Sequence, residues 1–441
     1  MRRNALIVSL GWLVLVMMLF PSLSTAQVSP PGPPPPPPAS VARDIDGRVK
    51  VFIDCSGYWD CDSEYFRTNL AYIDHVRDRT VADVHILITG QNTGAGGSEV
   101  TLTFIGLGPF VHVDDLLRYV SAPDSTSDTI RSGLVQKIKL GLMRYVAHSS
   151  SADSLTVGVN AAAKANQTKT PTHDPWNFWV MRVSFNGSVY GEESSTSQSY
   201  SASASANRTT EAWKASLSAN ASYRQSSYDL GDGEMYKSVT RSSSVSGLVV
   251  KSIGPRWSAG GRASLQSSTY TNQTRVLSAA PAIEYDFFPY SESTRRIMTL
   301  QYSIGVTSFA YQEITLYDKM SETLPNHKLS LNLEARQPWG QLSFQLDGSQ
   351  YLSQLDKYRV EAYGGVSLRL GKGLSLNVSS WSSFIRDQLY LPKGEASGEE
   401  ILVRQRQLAT SFQYSVYFGV SYTFGSIYNN VVNPRFNGGS F

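Results

Sequence analysis

Residues whose types and spacing support catalysis or metal binding are sparse in this 441-residue chain. The strand-rich part of the sequence holds one histidine, His327, whereas a lipase-like site needs a serine, a histidine and an orienting partner. The other histidines lie before that part and lack a metal-binding spacing such as H-E-x-x-H; they are His75, His85, His112, His148 and His173. The sequence therefore predicts neither an enzyme nor a cofactor or metal site.

Two further motifs suit ligand binding by residue type alone. Asp229, Asp232 and Glu234 in YDLGDGE offer the oxygen ligands that Ca²⁺ takes, but a solvated polar loop is the better interpretation. The TGAGG segment is rich in glycine, yet a phosphate-binding loop needs Lys followed by Ser or Thr before a helix. Here Ser98 and Glu99 lead into a strand pattern, so we interpret the segment as a hairpin turn.

The two cysteines of the chain, Cys55 and Cys61, stand close together in DCSGYWDCD. Residues 1–26 have the basic start, apolar stretch and small-x-small site of a secretory signal peptide, with an uncleaved membrane anchor as the alternative. Export brings the cysteines into an oxidising compartment, where we expect a disulfide rather than two free thiols.

Residues 48–150 predict a small periplasmic α+β domain with the order β-α-β-β-α. The strand patterns are VKVFID, ADVHILITG and VTLTFIGLG. The first helix is predicted to be capped by Ser63, and the second has apolar residues at helical spacing. A Pro-rich linker at 27–47 precedes this domain as a stiff spacer, and a second linker at 151–176 follows it.

Residues 177–425 have a different pattern, with a period of two. In EAWKASLSANASYRQ, every second residue from Trp213 to Tyr223 is apolar and the residues between them are polar. Such a strand has one apolar face and one wet face. About twelve segments repeat the pattern, and each is long enough for the roughly 9–11 residues that a membrane-crossing strand needs.

This alternation predicts a transmembrane antiparallel β-barrel of about 12 strands, with lipid outside and a polar lumen inside. Short and long connections alternate along the sequence, as periplasmic turns and extracellular loops do in outer-membrane barrels. The predicted long loops are GEESSTSQS, YDLGDGEMYKS, EITLYDKMSETLPNH, which includes His327, and RDQLYLPKGEASGEEILVRQRQ. A soluble β-sandwich is the alternative, but it would place branched aliphatic residues inside. A C-terminal tail at 426–441 follows the last strand pattern.

The alternation also predicts which charged side chains line the lumen. Seven basic residues point to the wet face and four acidic residues oppose them, so the lumen is expected to be mildly basic. The basic set is Arg182, Lys214, Arg224, Arg262, Arg336, Arg359 and Arg369, and the acidic set is Glu284, Asp286, Glu334 and Glu361.

Several segments resemble those of uncharacterised bacterial outer-membrane β-barrel proteins: DPWNFWVMRVSFNG, FPYSESTRR, RQPWG, RDQLYLP and SYTFGSIYNNVVNPRF. The resemblance extends over most of the chain from Val49 onward, and it implies an architecture and a location without an activity. The segment ADVHILITGQNTGAGGSEVTLTFIG resembles the N-terminal domain of the periplasmic Tol-system translocation protein. It covers the small domain alone, and no propeller follows it, so a Tol role is not implied.

These observations leave two hypotheses for the function. The first is a narrow pore or passive transporter with a periplasmic accessory domain, and the second is a non-conducting structural or assembly protein whose periplasmic domain binds a partner. The expected partners are outer-membrane lipid, the outer-membrane assembly machinery and a periplasmic envelope protein. The expected location is the outer membrane of a Gram-negative-type bacterium, with the N-terminal domain in the periplasm. A net charge of +3 without a Lys/Arg-rich block argues against nucleic acid.

Overall fold

The computed structural model describes residues 45–58, 61–93, 97–122, 124–152, 174, 176–231, 234–371, 373–394, 407–428 and 430. The predicted signal peptide at 1–26 lies outside these residues, as do nearly all of the Pro-rich linker, most of the second linker and most of the C-terminal tail. Of the three acids considered for Ca²⁺, only the side chain of Asp229 lies within them.

The first part of the described chain is a small α+β unit built on five strands. Its elements are β1 (Lys50–Gly57), α1 (Ser63–Asn69), β2 (Asp74–His75), β3 (Val84–Asn92), β4 (Ser98–Gly106), β5 (Asp115–Ser121) and α2 (Ser127–Val146). The strands lie in the order β2-β1-β3-β4-β5. The short β2 and the edge strand β5 are additions to the predicted order, because neither has a long enough apolar run to be read from the sequence.

Both helices of this unit pack on one face of the five-stranded sheet. Phe66 of α1 and Leu134, Ile138 and Leu142 of α2 are buried against Phe104 and its neighbours. The cap of α1 is Asp62 rather than the predicted Ser63, because the Asp62 carboxylate accepts a hydrogen bond from the Tyr65 N–H at 2.9 Å. No helix among the described residues is long and apolar enough to cross a membrane.

Cys55 and Cys61 are joined by a disulfide, with 5.9 Å between their Cα atoms. Cys55 belongs to β1 and Cys61 stands just before α1. The bond therefore ties the first strand to the start of the first helix, and both sulfur-bearing residues pack against the core of the small unit.

The second part of the described chain is a twelve-stranded antiparallel sheet, which confirms the predicted strand number and direction. Each strand pairs with its neighbour in the chain, from β6 to β17. The strands are β6 (Trp179–Glu192), β7 (Ser195–Thr209), β8 (Trp213–Gly231), β9 (Glu234–Ser252), β10 (Trp257–Ser268), β11 (Gln273–Asp286), β12 (Arg296–Tyr311), β13 (Ser321–Gln337), β14 (Gly340–Tyr351), β15 (Gln354–Gly371), β16 (Leu374–Ile385) and β17 (Phe412–Tyr422).

The pairing register gives this sheet one polar and one apolar face. Ser205, Ser218, Ser246, Ser264 and Ser278 stand opposite one another across five successive strands. Two of these pairs are joined through their hydroxyls, Ser218 with Ser246 and Ser264 with Ser278, each at 2.8 Å. We call the face that carries these serines the polar face.

The opposite face of the sheet carries exposed hydrophobic side chains. Val183 of β6 is 82% exposed, Leu217 of β8 is 52% exposed and Phe418 of β17 is 81% exposed. In water such a surface would be unfavourable, since contiguous exposed apolar patches of this extent usually mark contact with lipid or another protein.

Two segments that the sequence predicts as long loops are instead strand. Only two residues separate β6 from β7, and two separate β8 from β9, so GEESSTSQS and YDLGDGEMYKS belong mainly to extended hairpins. The strands of these hairpins are therefore longer than a membrane crossing requires. The two long connections at this end of the sheet are 312–320, between β12 and β13, and 386–411, between β16 and β17.

The sheet is open between its first and last strands. Among the described residues, β6 pairs only with β7, and β17 pairs only with β16. Within the described ranges, no further strand pairs with the outer backbone groups of β6 and β17.

Candidate functional site

All eleven charged residues predicted to line a lumen share the polar face. Arg182 stands opposite Ser205, and Arg262 lies two residues from Ser264 on the same side of β10. The strand pairing extends this face across the rest of the sheet. Glu284 of β11 is paired with Gln301 of β12, and Asp347 of β14 is paired with Glu361 of β15. The remaining residues are related to these positions by even spacings along their strands, so they lie on the same face.

The structure brings some of these charges together and leaves others apart. Arg336 donates to Glu334 at 2.8 Å, and Arg359 lies 3.5 Å from Glu361. Within the described residues, four of the basic side chains have no carboxylate in ion-pair range; they are Arg182, Lys214, Arg224 and Arg262.

A cavity of about 930 Å³ lies along the polar face. Small residues such as Gly260, Ala280 and Ser303 form much of its wall, which leaves the space open. Lys214 and Arg262 also line it, together with Glu284. Cavities of roughly 300–1,000 Å³ hold small molecules in proteins, so this one is large enough for a small polar solute.

One end of this face is in contact with the small unit through a buried charged junction. Arg369, near the end of β15, donates through both of its terminal nitrogens to the carboxylate of Asp54 in β1. Asp54 is 1% exposed. Its Oδ2 also lies 3.3 Å from the Nε2 of the fully buried His85. The Arg369 guanidinium stacks 5.4 Å from the centre of the Phe52 ring.

The face of the small sheet that meets Arg369 is unusually polar for a buried surface. Thr89, Thr101 and Thr103 are buried there, and within the described part of the chain their hydroxyls have no hydrogen-bond partner. Burial lowers the pKa of His85, although the hydrogen bond to Asp54 opposes this shift, so the neutral imidazole is favoured at the junction. Unsatisfied buried hydroxyls carry a desolvation penalty, so the burial of this face stabilises the contact less than the burial of an apolar face would.

Two more contacts attach the small unit to the same end of the large sheet. Ser293, in the connection between β11 and β12, donates to the Gln91 side chain at 3.1 Å. After β17, the backbone of Ile427 accepts from the Arg77 N–H at 3.1 Å, and Tyr428 forms a β-bridge with Val76. The described part of the predicted tail thus lies along the edge of the small sheet beside β2.

At the opposite end of the polar face, part of the connection after β16 folds inward. We call residues Arg386–Lys393 the inner loop. Its Leu389 is 2% exposed and packs with apolar side chains at the ends of three strands. These side chains are Val276, Phe309, Tyr311 and Leu324. Phe309 is paired with Val276, which stands two residues from Ser278, so this cluster lies on the polar face.

Polar contacts hold the inner loop in this position. Arg359 of β15 donates to both oxygens of Asp387, at 3.1 and 3.0 Å from Nε and 2.9 Å from a terminal nitrogen. The Asn272 amide donates to the carbonyl of Tyr390 at 3.0 Å. The Leu316 N–H donates to the carbonyl of Leu391 at 2.9 Å, so the loop is also joined to the connection after β12.

The described residues hold no group of three or more His, Cys, Asp or Glu side chains placed to bind a metal ion. His327 lies within β13 rather than in a loop. Its imidazole nitrogens are 3.3 Å from the Tyr302 hydroxyl and 3.3 Å from the Gln350 side-chain oxygen. These are contacts to neighbouring strands, and in the part of the chain that the structure describes no acidic side chain is hydrogen-bonded to the ring.

Sequence reasoning missed the residues that contact the two ends of the polar face. Asp54 and Arg369 are 315 positions apart, and no local pattern connects them. His85 carries a weak signal, since it interrupts an otherwise apolar strand. Leu389 carries a better one: three large side chains in a row, Leu389 to Leu391, are unusual in a loop and indicate burial.

Comparison with known proteins gives distant structural matches. The NanC porin aligns with 56% of this chain and 99% of its own, at 9% identity and a TM-score of 0.27. The β domain of the Bordetella autotransporter BrkA aligns with 56% of this chain and 98% of its own, at 17% identity and a TM-score of 0.26. CdiB from Acinetobacter baumannii covers 85% of this chain and 73% of its own, at 10% identity and a TM-score of 0.26.

These TM-scores are too low to define the fold or the function of this chain. No family model and no curated protein sequence matches it.

Proposed function

We propose that the chain is an outer-membrane β-barrel protein that serves as a narrow pore or passive transporter for small polar solutes. The observation that carries this proposal is the cavity of about 930 Å³ on the polar face, behind a sheet whose other face is apolar and exposed. Lipid would cover the apolar face, and water would fill the polar one. The predicted lumen-lining residues would then face the solute path.

A barrel requires β6 to pair with β17. Unpaired backbone groups in lipid cost several kcal/mol each, so an open edge would not persist there. With an even number of strands, the first and last run antiparallel, which suits direct pairing. We expect a photo-crosslinker at Asn186 to join β6 to a peptide from β17 within one chain, detected by mass spectrometry.

A crosslinker at Asn220 in the middle of β8 is the matched control and should capture only the flanking strands β7 and β9. Crosslinks from Asn186 that join two separate chains would show that the edges pair between copies. That result would contradict closure within a single chain.

We place the small unit in the periplasm and the long connections outside the cell, as the signal peptide and the lengths of the connections suggest. An epitope tag inserted in KGEASGEE is expected to be labelled by antibody on intact cells, because that segment belongs to a predicted extracellular loop. A tag near Ala39 should be labelled only after permeabilisation. Labelling of both tags on intact cells would contradict this orientation.

Single-channel recording in a planar bilayer tests the pore directly. The full chain is expected to give discrete current steps, because a continuous water path joins the two sides whenever the lumen is open. A parallel preparation that was denatured before addition is the control for membrane leakage. A folded chain that stays silent at all voltages would refute the pore.

A second function has its own supporting observation. The edge strand β5 exposes Leu116 at 46% and Val120 at 62% on the small unit. Since β5 pairs only with β4 among the described residues, its free edge suits addition of a partner strand. A silent barrel that co-purifies with one envelope protein, and loses it on Val120→Asp, would favour a structural or assembly role.

A further inference from the structure

Resting on the proposed pore, we infer that the lumen is held shut by two closures in series, and that one strand, β15, anchors both. The first closure is the small unit, held through Arg369 to Asp54. The second is the inner loop, held through Arg359 to Asp387. Solute passes only when both are released.

The positions of the two arginines match the two ends of a membrane-crossing path. Arg359 and Arg369 lie on the same face of β15, ten residues apart. At about 3.3 Å per residue they are separated by about 33 Å along the strand. Strands of outer-membrane barrels are tilted by about 35–45°, so this separation is about 23–27 Å across the membrane, close to their apolar band of about 25 Å. Each arginine therefore stands near one boundary.

The contact at the small unit is built to be reversible. Its surface includes the buried Thr89, Thr101 and Thr103, whose hydroxyls lack partners among the described residues. On separation these hydroxyls gain water, and so does the carboxylate of Asp54. This hydration offsets part of the free energy that is lost with the Arg369 contact, because an unsatisfied buried polar group carries a desolvation penalty.

The inner loop combines an apolar anchor with charged contacts. Leu389 packs with Phe309 and Leu324 in the apolar cluster on the polar face. Asp387 lines the cavity and is tied to Arg359. Without the Asp387 charge, the loop keeps its apolar anchor and the bond from the Arg386 N–H to the Tyr358 carbonyl, but it loses its ion pair with Arg359.

If the two closures act in series, the probability that the path is open is the product of the probabilities that each closure is released. The effects of two variants should therefore multiply. We expect Asp387→Asn and Arg369→Gln each to raise the single-channel open probability by about tenfold or more, because each variant loses at least one charged hydrogen bond. The double variant should show the product of the two factors. The full chain is used in every case.

Asp128→Asn and Arg131→Gln are the matched controls. This pair is joined at 2.9 Å near the start of α2, on the helix side of the small unit and outside the lumen-lining set, so these variants should leave the open probability unchanged. An unchanged open probability in either test variant would show that the corresponding closure does not block the path. A double variant no more open than the better single variant would overturn the series arrangement.

A cysteine in the cavity wall gives a readout that needs no current. Ser303→Cys places a reactive thiol there, whereas both native cysteines are joined in a disulfide. On intact cells, a membrane-impermeant maleimide is expected to react faster when Asp387→Asn is added and at an unchanged rate when Arg369→Gln is added. Equal acceleration by both would overturn the assignment of the inner loop as the outer closure.

The two readouts separate the inference from the proposed function. If the maleimide labelling depends on Asp387→Asn as expected but no variant gives current steps in bilayers, the pore is refuted and the two closures are retained. Current steps that neither variant alters would refute the closures and leave the pore standing.

Discussion

Leu217→Arg is expected to impair insertion of the barrel severely, whereas Ser218→Arg should fold almost normally. Leu217 lies on the apolar face of β8 and is 52% exposed, in the position that lipid would cover. An arginine on the lipid face near the bilayer midplane costs about 2–4 kcal/mol. Heat-modifiable migration on gels and the free energy of unfolding into urea both measure this difference.

Ser218 is the matched control because it is the next residue on the same strand and faces the other way. Its substitution loses the hydroxyl contact to Ser246 at 2.8 Å, worth about 1 kcal/mol at most. If the lumen conducts, the added positive charge should also shift the reversal potential toward anion preference. Equal folding defects from the two substitutions would mean that both faces are tightly packed, and the barrel would be excluded.

The second large effect is expected at the junction between the small unit and β15. Arg369→Ala leaves the Asp54 carboxylate, 1% exposed in the docked state, without its main positive partner. Removing one member of a buried ion pair costs about 3–5 kcal/mol. We therefore expect the small unit to separate from the barrel, seen as faster proteolysis of the connection at 151–176 in the full chain.

The double variant Asp54→Asn with Arg369→Ala is the control for this result. It removes the carboxylate charge together with the arginine, so much of the penalty should disappear, and protection from protease should partly return. The non-additive part of a double-mutant cycle measures the pairwise interaction. A strictly additive cycle would show that the two side chains do not support each other.

The sequence by itself determined the strands of the large sheet and the direction of nearly every side chain on them. The alternation in WKASLSANASY is unambiguous because a strand has a period of two and no other regular element does. For the same reason the eleven charged residues could be assigned to one face from spacing alone. The helix α2 was equally readable, since Leu134, Ile138 and Leu142 follow helical spacing.

Local signals were weaker where two interpretations share the same residue types. Ser63 and Asp62 are both good helix caps, and only the geometry of the Tyr65 N–H selected Asp62. A polar stretch such as GEESSTSQS suits a loop by composition, and it has no apolar residues whose alternation would indicate a strand. Its continuation as strand was decided by pairing with the neighbouring hairpin arm.

The tertiary structure alone decided what lies at the two ends of the polar face. Asp54 meets Arg369 because a small unit from the start of the chain sits against the end of a strand from its last quarter. Leu389 is buried because the ends of β11, β12 and β13 present apolar side chains to it. Such contacts join residues far apart in sequence, and no periodicity records them, because their energy comes from burial and charge pairing that exist only once the chain has folded.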